Sequence, residues 1–190
     1  MTSPHTTYSS PSPTSSPSAG HAAHDDARSQ RAHDAGLLIL RIVLGLTMAA
    51  HGSQKLLGWF DGPGLKGTGQ FFSASGYPAG ETMALVAGLT ETFGGLGLVL
   101  GLLTPLAGAA VLGTMINALA VKWGGGFFAP QGVEYEVLLA AGAAALTLTG
   151  PGRYAADRLL PVLRAHRLTH GVAAVVLGVV VAAGVLMVRN

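Results

Sequence analysis

The chain has 190 residues, 49% hydrophobic and only 11% charged, with 28 glycines, no cysteine and a formal charge of +2; its mean hydropathy is +0.48. A soluble domain carries about 25% charged residues, so this chain has too little charge to cover a water-facing surface and is expected in a lipid bilayer. The missing cysteines exclude disulfides, thiolate catalysis and cysteine-ligated zinc or iron–sulfur centres, and the small, scattered basic charge excludes a nucleic-acid partner.

Of the first twenty residues, fifteen are Ser, Thr or Pro. Such a segment buries too little apolar surface to offset its ordering entropy, so residues 1–36 are expected to be a disordered tail. It is not expected to be a signal peptide, because the first apolar run begins only at Leu37, after His21, His24, Asp25, Asp26, Arg28, Arg31, His33 and Asp34. The irregular spacing of His5, His21, His24 and His33 does not form a metal tract.

A membrane-spanning helix needs about 20 mostly apolar residues. Leu37 to Leu57 and Met83 to Leu103 supply the first two candidates. Thr104 and Pro105 interrupt the pattern, and Leu106 to Lys122 forms a third span, tightly joined to the second as an antiparallel hairpin. After Gly124, Gly125 and Gly126, a fourth runs from Val133 to Thr149, stopped by Gly150, Pro151 and Gly152. A fifth, Gly171 to Val188, contains only Gly, Val, Ala, Leu and Met. The expected fold is an all-α membrane protein: a four-helix transmembrane bundle over residues 37–157, a basic linker over 158–170 and an added C-terminal fifth transmembrane helix over 171–190. Arg28, Arg31, Arg153, Arg158, Arg164 and Arg167 fall on one side if the spans alternate, which makes that side, and the N-terminus, cytoplasmic.

Ionisable groups in a bilayer are costly and face the bundle interior or a water-filled cavity. With a rise of about 1.5 Å per residue, His51 lies about 6 Å outside the middle of span one, Glu91 about 3 Å outside that of span two, and Asn117 about 4 to 5 Å outside that of span three. Three helices therefore contribute polar groups to one layer. Lys55 is one turn above His51 on the same face, and Arg41 stands alone in the inner half. Gly88 and Gly95 flank Glu91 on its own face, and small residues let helix backbones approach closely. Glu91 with His51 or Lys55 is then either a clamp fixing helix register or an outward-opening site able to pass protons or bind a quinone head group. Glu134 and Glu136 differ by 200° around a helix, so one faces the bundle; Glu134 is taken as the inward one. Asn117 fits an interhelical hydrogen bond.

Gly62, Gly64 and Gly67 spell a dinucleotide-binding pattern, but a membrane helix precedes them instead of a strand, so the match carries no meaning. His51 and His170 lie at opposite sides of the membrane and cannot serve one haem, and no metal site is expected. Trp59, Phe60, Trp123, Phe127 and Phe128 gather at the span ends, where an aromatic belt belongs.

Arg41 with Gly45, His51-Gly52, Lys55, Gly62-Pro63-Gly64, Phe71-Phe72, Gly76-Tyr77-Pro78, Glu91 with Gly94-Gly95, Gly101-Leu102-Leu103-Thr104, Gly126-Phe127-Phe128, Glu134-Tyr135 and Gly150-Pro151-Gly152-Arg153-Tyr154 stand in one ordered set. Over Leu37 to Asp157 the chain resembles the DoxX family of small bacterial inner-membrane proteins. The resemblance implies a four-helix bundle and a link to oxidoreductase complexes: thiosulfate:quinone oxidoreductase subunits, and membrane complexes that include superoxide dismutase and a sulfurtransferase. It implies no covalent cofactor, quinone as the electron carrier, and thiol or metal chemistry carried by a partner protein. The chain departs from the pattern at Pro105, where many relatives have a basic residue, and in its tail and fifth span, which places Arg189 and Asn190 outside.

Three functions fit. The first is a membrane subunit of a quinone-linked oxidoreductase or oxidative-stress and sulfur-metabolism complex, with Glu91, His51 and Lys55 as the polar centre and Asn117, Glu134 and Arg41 as substrate contacts. The second is a small proton-coupled transporter or channel, and the third an assembly scaffold whose charges are structural clamps.

Overall fold

Apolar stretches bounded by glycine and proline fold into six α-helices in the computed structural model, which describes residues 19–160 and 167–190. They are α1 (Ala19–Leu57), α2 (Gly64–Ala74), α3 (Gly80–Leu100), α4 (Thr104–Lys122), α5 (Glu134–Thr149) and α6 (Leu168–Met187), with short 3-10 turns at Trp123–Gly125 and Ala156–Leu159. No strand occurs among the described residues. Four stretches, Arg28–Leu57, Gly80–Leu100, Thr104–Gly125 and Leu168–Met187, are long and apolar enough to cross a membrane. The fold is the expected all-helical membrane bundle with an added C-terminal helix. The 16-residue α5 is about 24 Å long, short of a full lipid-facing span, and packs along α4 and against α6.

Besides α5, expected as a fourth full span, two elements differ from expectation. Helix α1 begins at Ala19, so residues 19–36, expected as tail, are helical; residues 1–18 lie outside the described residues. Ala, Arg and Gln in this stretch are good helix formers, and extending an existing helix avoids the cost of nucleation. The sequence boundary at Leu37 therefore marks where polarity ends, and helicity starts earlier. By contacts the chain divides into residues 1–32 and 33–190, and the second unit holds the packed bundle. The loop expected between spans one and two contains α2, an amphipathic helix that packs against α3. Residues 161–166 of the expected linker, including Arg164, lie outside the described residues.

Small residues set the helix seams. A Cβ on Gly45 would collide with the carbonyl of Gly95, and one on Gly95 with that of Gly45, so α1 and α3 touch backbone to backbone. Gly178 of α6 lies in the same way on the backbone of Ala109 in α4. Between these seams Met48, Leu98, Val111, Ala143 and Leu146 are fully buried. The outer faces, with Val43, Phe93, Leu138 and Val180, are exposed and apolar, an area of hydrocarbon that a water-soluble monomer does not tolerate.

Arg41 organises one end of the bundle. Its Nε donates to Leu98 O at 2.9 Å and its Nη2 to Val99 O at 3.1 Å and Tyr154 O at 3.0 Å, while Nη1 donates to Pro151 O. A guanidinium thus adds donors to the carbonyls at the C-terminal end of α3, where intrahelical partners run out and Leu98 O otherwise has only the Gly101 N–H. Gly101 follows in the left-handed region (φ 67°), and a Cβ there would strike both that strained backbone geometry and the Arg41 guanidinium. Asp157 then caps α4 by accepting from Leu103 N at 2.7 Å and Thr104 N at 3.0 Å. Pro105 sits in the first turn of α4, where its missing N–H has no intrahelical role; the break in the apolar pattern is a helix start. Asp34 of α1 accepts from Arg153 N at 2.9 Å.

Candidate functional site

The other end of the bundle holds the polar layer. Gly88 lies against the Leu56 and Lys55 side chains and Gly95 against Gly45 and Ala49, so the α3 face that carries Glu91 between them is pressed onto α1. Lys55 Nζ donates to Glu91 Oε2 at 2.6 Å, with side chains 23% and 3% exposed respectively. One turn earlier on α1, His51 faces α5: its Nε2 and the Tyr135 hydroxyl are hydrogen-bonded at 2.9 Å, with the rings edge to face.

Helix α4 brings a second set. Tyr77 OH donates to Asn117 Oδ1 at 3.1 Å, and Asn117 Nδ2 donates to Gly113 O at 3.1 Å and Ala182 O at 3.4 Å. Asn117 therefore joins the segment before α3 to α4 and α6. Lys122 Nζ donates to Glu136 Oε1 at 2.8 Å. Tyr77 lies between α2 and α3, outside the spans; its burial pushes the phenol above its usual pKa, with Arg189 opposing, so at neutral pH it is an uncharged donor.

These groups line one cavity of about 510 Å³, among them His51, Lys55, Glu91, Asn117, Tyr135 and Glu136. That volume lies in the range of small-molecule sites. Its other walls are apolar side chains of α2, α3, α4 and α6. The cavity offers a ligand donors from lysine and tyrosine and acceptors from carboxylate and amide, where low dielectric strengthens each contact.

Of the residues expected at a site, His51, Lys55, Glu91 and Asn117 come together at the cavity. Glu134 does not: it accepts from Ala129 N at 3.0 Å in the preceding loop, and Glu136 is the buried carboxylate that lines the cavity. The reason is the rotation of α5. Glu134 is its first residue and folds back over the loop, whereas Glu136 points toward Lys122 of α4. Arg41 is also absent from the cavity lining, because all of its donors except one hydrogen are engaged by carbonyls at the opposite end. Tyr77, Tyr135 and Lys122 were not singled out as site residues from the sequence. Two of them stand in the ordered set above, in Gly76-Tyr77-Pro78 and Glu134-Tyr135, which is the signal that marks them.

A bundle with apolar outer faces around a largely apolar cavity that carries polar groups at one end defines an integral membrane protein with a cavity between its helices. The chain belongs to the DoxX family: the family model described as DoxX matches residues 36–123. It is 32% identical over 128 residues to the Bacillus subtilis (strain 168) protein named "Putative oxidoreductase CatD", an alignment covering 67% of this chain and 88% of that one. It is 31% identical over 137 residues to "Inner membrane protein YqjF" of Escherichia coli (strain K12), covering 69% of this chain and 96% of the relative. No solved structure matches the chain.

Proposed function

We propose that this protein is a membrane subunit of a quinone-linked oxidoreductase or oxidative-stress and sulfur-metabolism complex, and that its cavity takes a quinone head group. The observation that carries the reading is the convergence of the Lys55 to Glu91 pair, the His51 to Tyr135 pair and the Lys122 to Glu136 pair on one otherwise apolar cavity. A head group of this kind has carbonyl or hydroxyl oxygens that lysine and tyrosine bond, and its reduction and oxidation move protons, for which imidazole, phenol and carboxylate are the competent side chains. The chain has no cysteine, so in this reading the thiol or metal chemistry belongs to an oxidoreductase or sulfurtransferase partner. The name of the Bacillus subtilis relative supports an oxidoreductase link.

Arg153, Arg158 and Arg167 belong to the end of the bundle that Arg41 organises, and under the positive-inside rule they support that end as the cytoplasmic one in a bacterial inner membrane, with the cavity toward the outer leaflet. The transporter reading has less support, because Arg41, the ionisable group in the inner half of the apolar span from Leu37 to Leu57, is held by four carbonyls and does not line the cavity. The test combines mild-detergent affinity purification, identification of co-purifying proteins and bound quinone, and the variant Glu91→Gln. Loss of quinone reduction with complex and membrane levels retained is expected. Unchanged reduction by a normally folded variant removes Glu91 from the chemistry.

A further inference from the structure

The cavity is polar at one end only. From Lys122 and Asn117 its floor continues along α4 through Ala118, Thr114, Gly113 and Ala110 to Leu106. The sixteen residues from Leu106 to Val121 span about 22 Å of helix, most of the depth of a bilayer's hydrocarbon core. The floor is low because these side chains are small, and its walls are the apolar residues of α3 on one side and of α6 on the other.

The lining side chains with high exposure locate the mouth. Val86 of α3 is 54% exposed, Leu106 of α4 51%, and Leu177 and Val181 of α6 52% and 56%. All four belong to spanning stretches, so this side of the cavity opens sideways into lipid; at the polar end Glu91 and Glu136 are buried, with the exposed Phe71 of α2 and Tyr135 of α5 at its rim. A molecule entering from the side of the bundle meets hydrocarbon first and the charged pairs last. Helix α6 supplies one whole wall and lies beyond the stretch matched by the family model, which ends at residue 123.

We infer that the channel between α3 and α6, floored by α4, is a tail subsite: it holds the single apolar chain of a membrane-dissolved ligand whose head group reaches Lys55, Glu91 and Glu136. The inference rests on the proposed quinone function for the identity of the head, and on the groove alone for the tail. Its consequence is that the ligand is a prenylated or alkylated molecule delivered laterally from the bilayer, and that ring-only analogues bind weakly.

The test uses the full chain in detergent or nanodiscs and compares two probes by titration calorimetry: 2-methyl-1,4-naphthoquinone and the same ring bearing a four-unit prenyl tail. The tailed probe is expected to bind at least about tenfold more tightly, because apolar area leaves water or detergent on binding. Ala110→Phe and Ala118→Phe, which fill the floor, are expected to abolish that advantage while leaving ring-only affinity within about twofold; Val179→Phe, on the lipid face of α6, is expected to leave both unchanged. Equal affinity for the two probes, or a tail advantage that survives both filling variants, overturns the subsite. A photoreactive fatty acid provides an arm independent of the head group. Labelling of α3 and α6 peptides that disappears in Ala110→Phe supports the tail subsite even where neither quinone binds, an outcome that removes the quinone function alone; no labelling in that case removes both.

Discussion

Lys55 Nζ and Glu91 Oε2 lie 2.6 Å apart across the seam of α1 and α3, the carboxylate at the buried end of the pair. Their separation of 36 residues is bridged by glycine contacts that bring the two backbones together on either side of Glu91. The pair therefore reports directly on whether that seam is formed.

Breaking the pair from one side leaves a buried charge without its partner. Lys55→Met is expected to lower stability by about 3 kcal/mol or more, and Glu91→Leu added to it to restore most of that loss, since removing both charges removes the desolvation penalty. Thermal unfolding in detergent of the two single variants and the double variant measures the coupling. A double variant as unstable as the sum of the singles contradicts the pairing.

Glu134 and Glu136 are expected to behave differently although two residues apart. Glu136→Gln loses the charge opposite Lys122 and alters the cavity wall, and is expected to weaken ligand binding about tenfold, as for a charge-assisted hydrogen bond. Glu134→Gln keeps an acceptor oxygen for Ala129 N and is expected to change stability by less than about 0.5 kcal/mol. Equilibrium binding and unfolding curves on the same preparations compare them.

Arg41→Lys is expected to destabilise the bundle by roughly 3 kcal/mol while the folded fraction keeps its ligand affinity. Lysine cannot reproduce the planar fork that serves the Leu98, Val99, Pro151 and Tyr154 carbonyls, and carbonyls left buried without donors cost about 1–3 kcal/mol each. A fall in affinity of the folded protein would instead couple this end to the cavity.

Asp157→Asn retains one acceptor oxygen where the carboxylate serves both Leu103 N and Thr104 N. A loss of about 1 kcal/mol is expected, within the range of helix-cap substitutions, and Asp157→Ala is expected to cost more. The order of their melting temperatures, with Asn between wild type and Ala, checks the capping role.

The seam itself is tested by Gly45→Ala, whose Cβ meets the Gly95 carbonyl. Overpacking costs about 1–3 kcal/mol, and because the added Cβ also meets Val99, hydrogen exchange of α3 amides is expected to accelerate most between Gly95 and Val99 and less toward Gly80.

Much of this was legible before the fold was known. Rare charges in long apolar runs show where the spans lie, and the fixed helical rise put His51, Glu91 and Asn117 in one layer, where they line one cavity. Gly88 and Gly95 on the face of Glu91 pointed to a close neighbour, and that neighbour is α1. Rotation was less legible. Only packing on α4 turns Glu136 inward and leaves Glu134 over the loop, because a helix that is apolar around its whole circumference carries no stripe to orient it. Arg41 stands as a lone polar group in the sequence because its partners are main-chain carbonyls 57 to 113 residues away, and a carbonyl has no letter in a sequence.

By itself the sequence determined the medium, the number of apolar helices and the depth of the polar groups, since each follows from composition and a constant rise per residue. Tertiary structure decided which polar groups meet, that Arg41 belongs to the frame instead of the cavity, and that α6 closes a groove alongside α4. Those are relations between helices, and they depend on rotation and on the closeness that glycine seams allow, neither of which a single helix specifies.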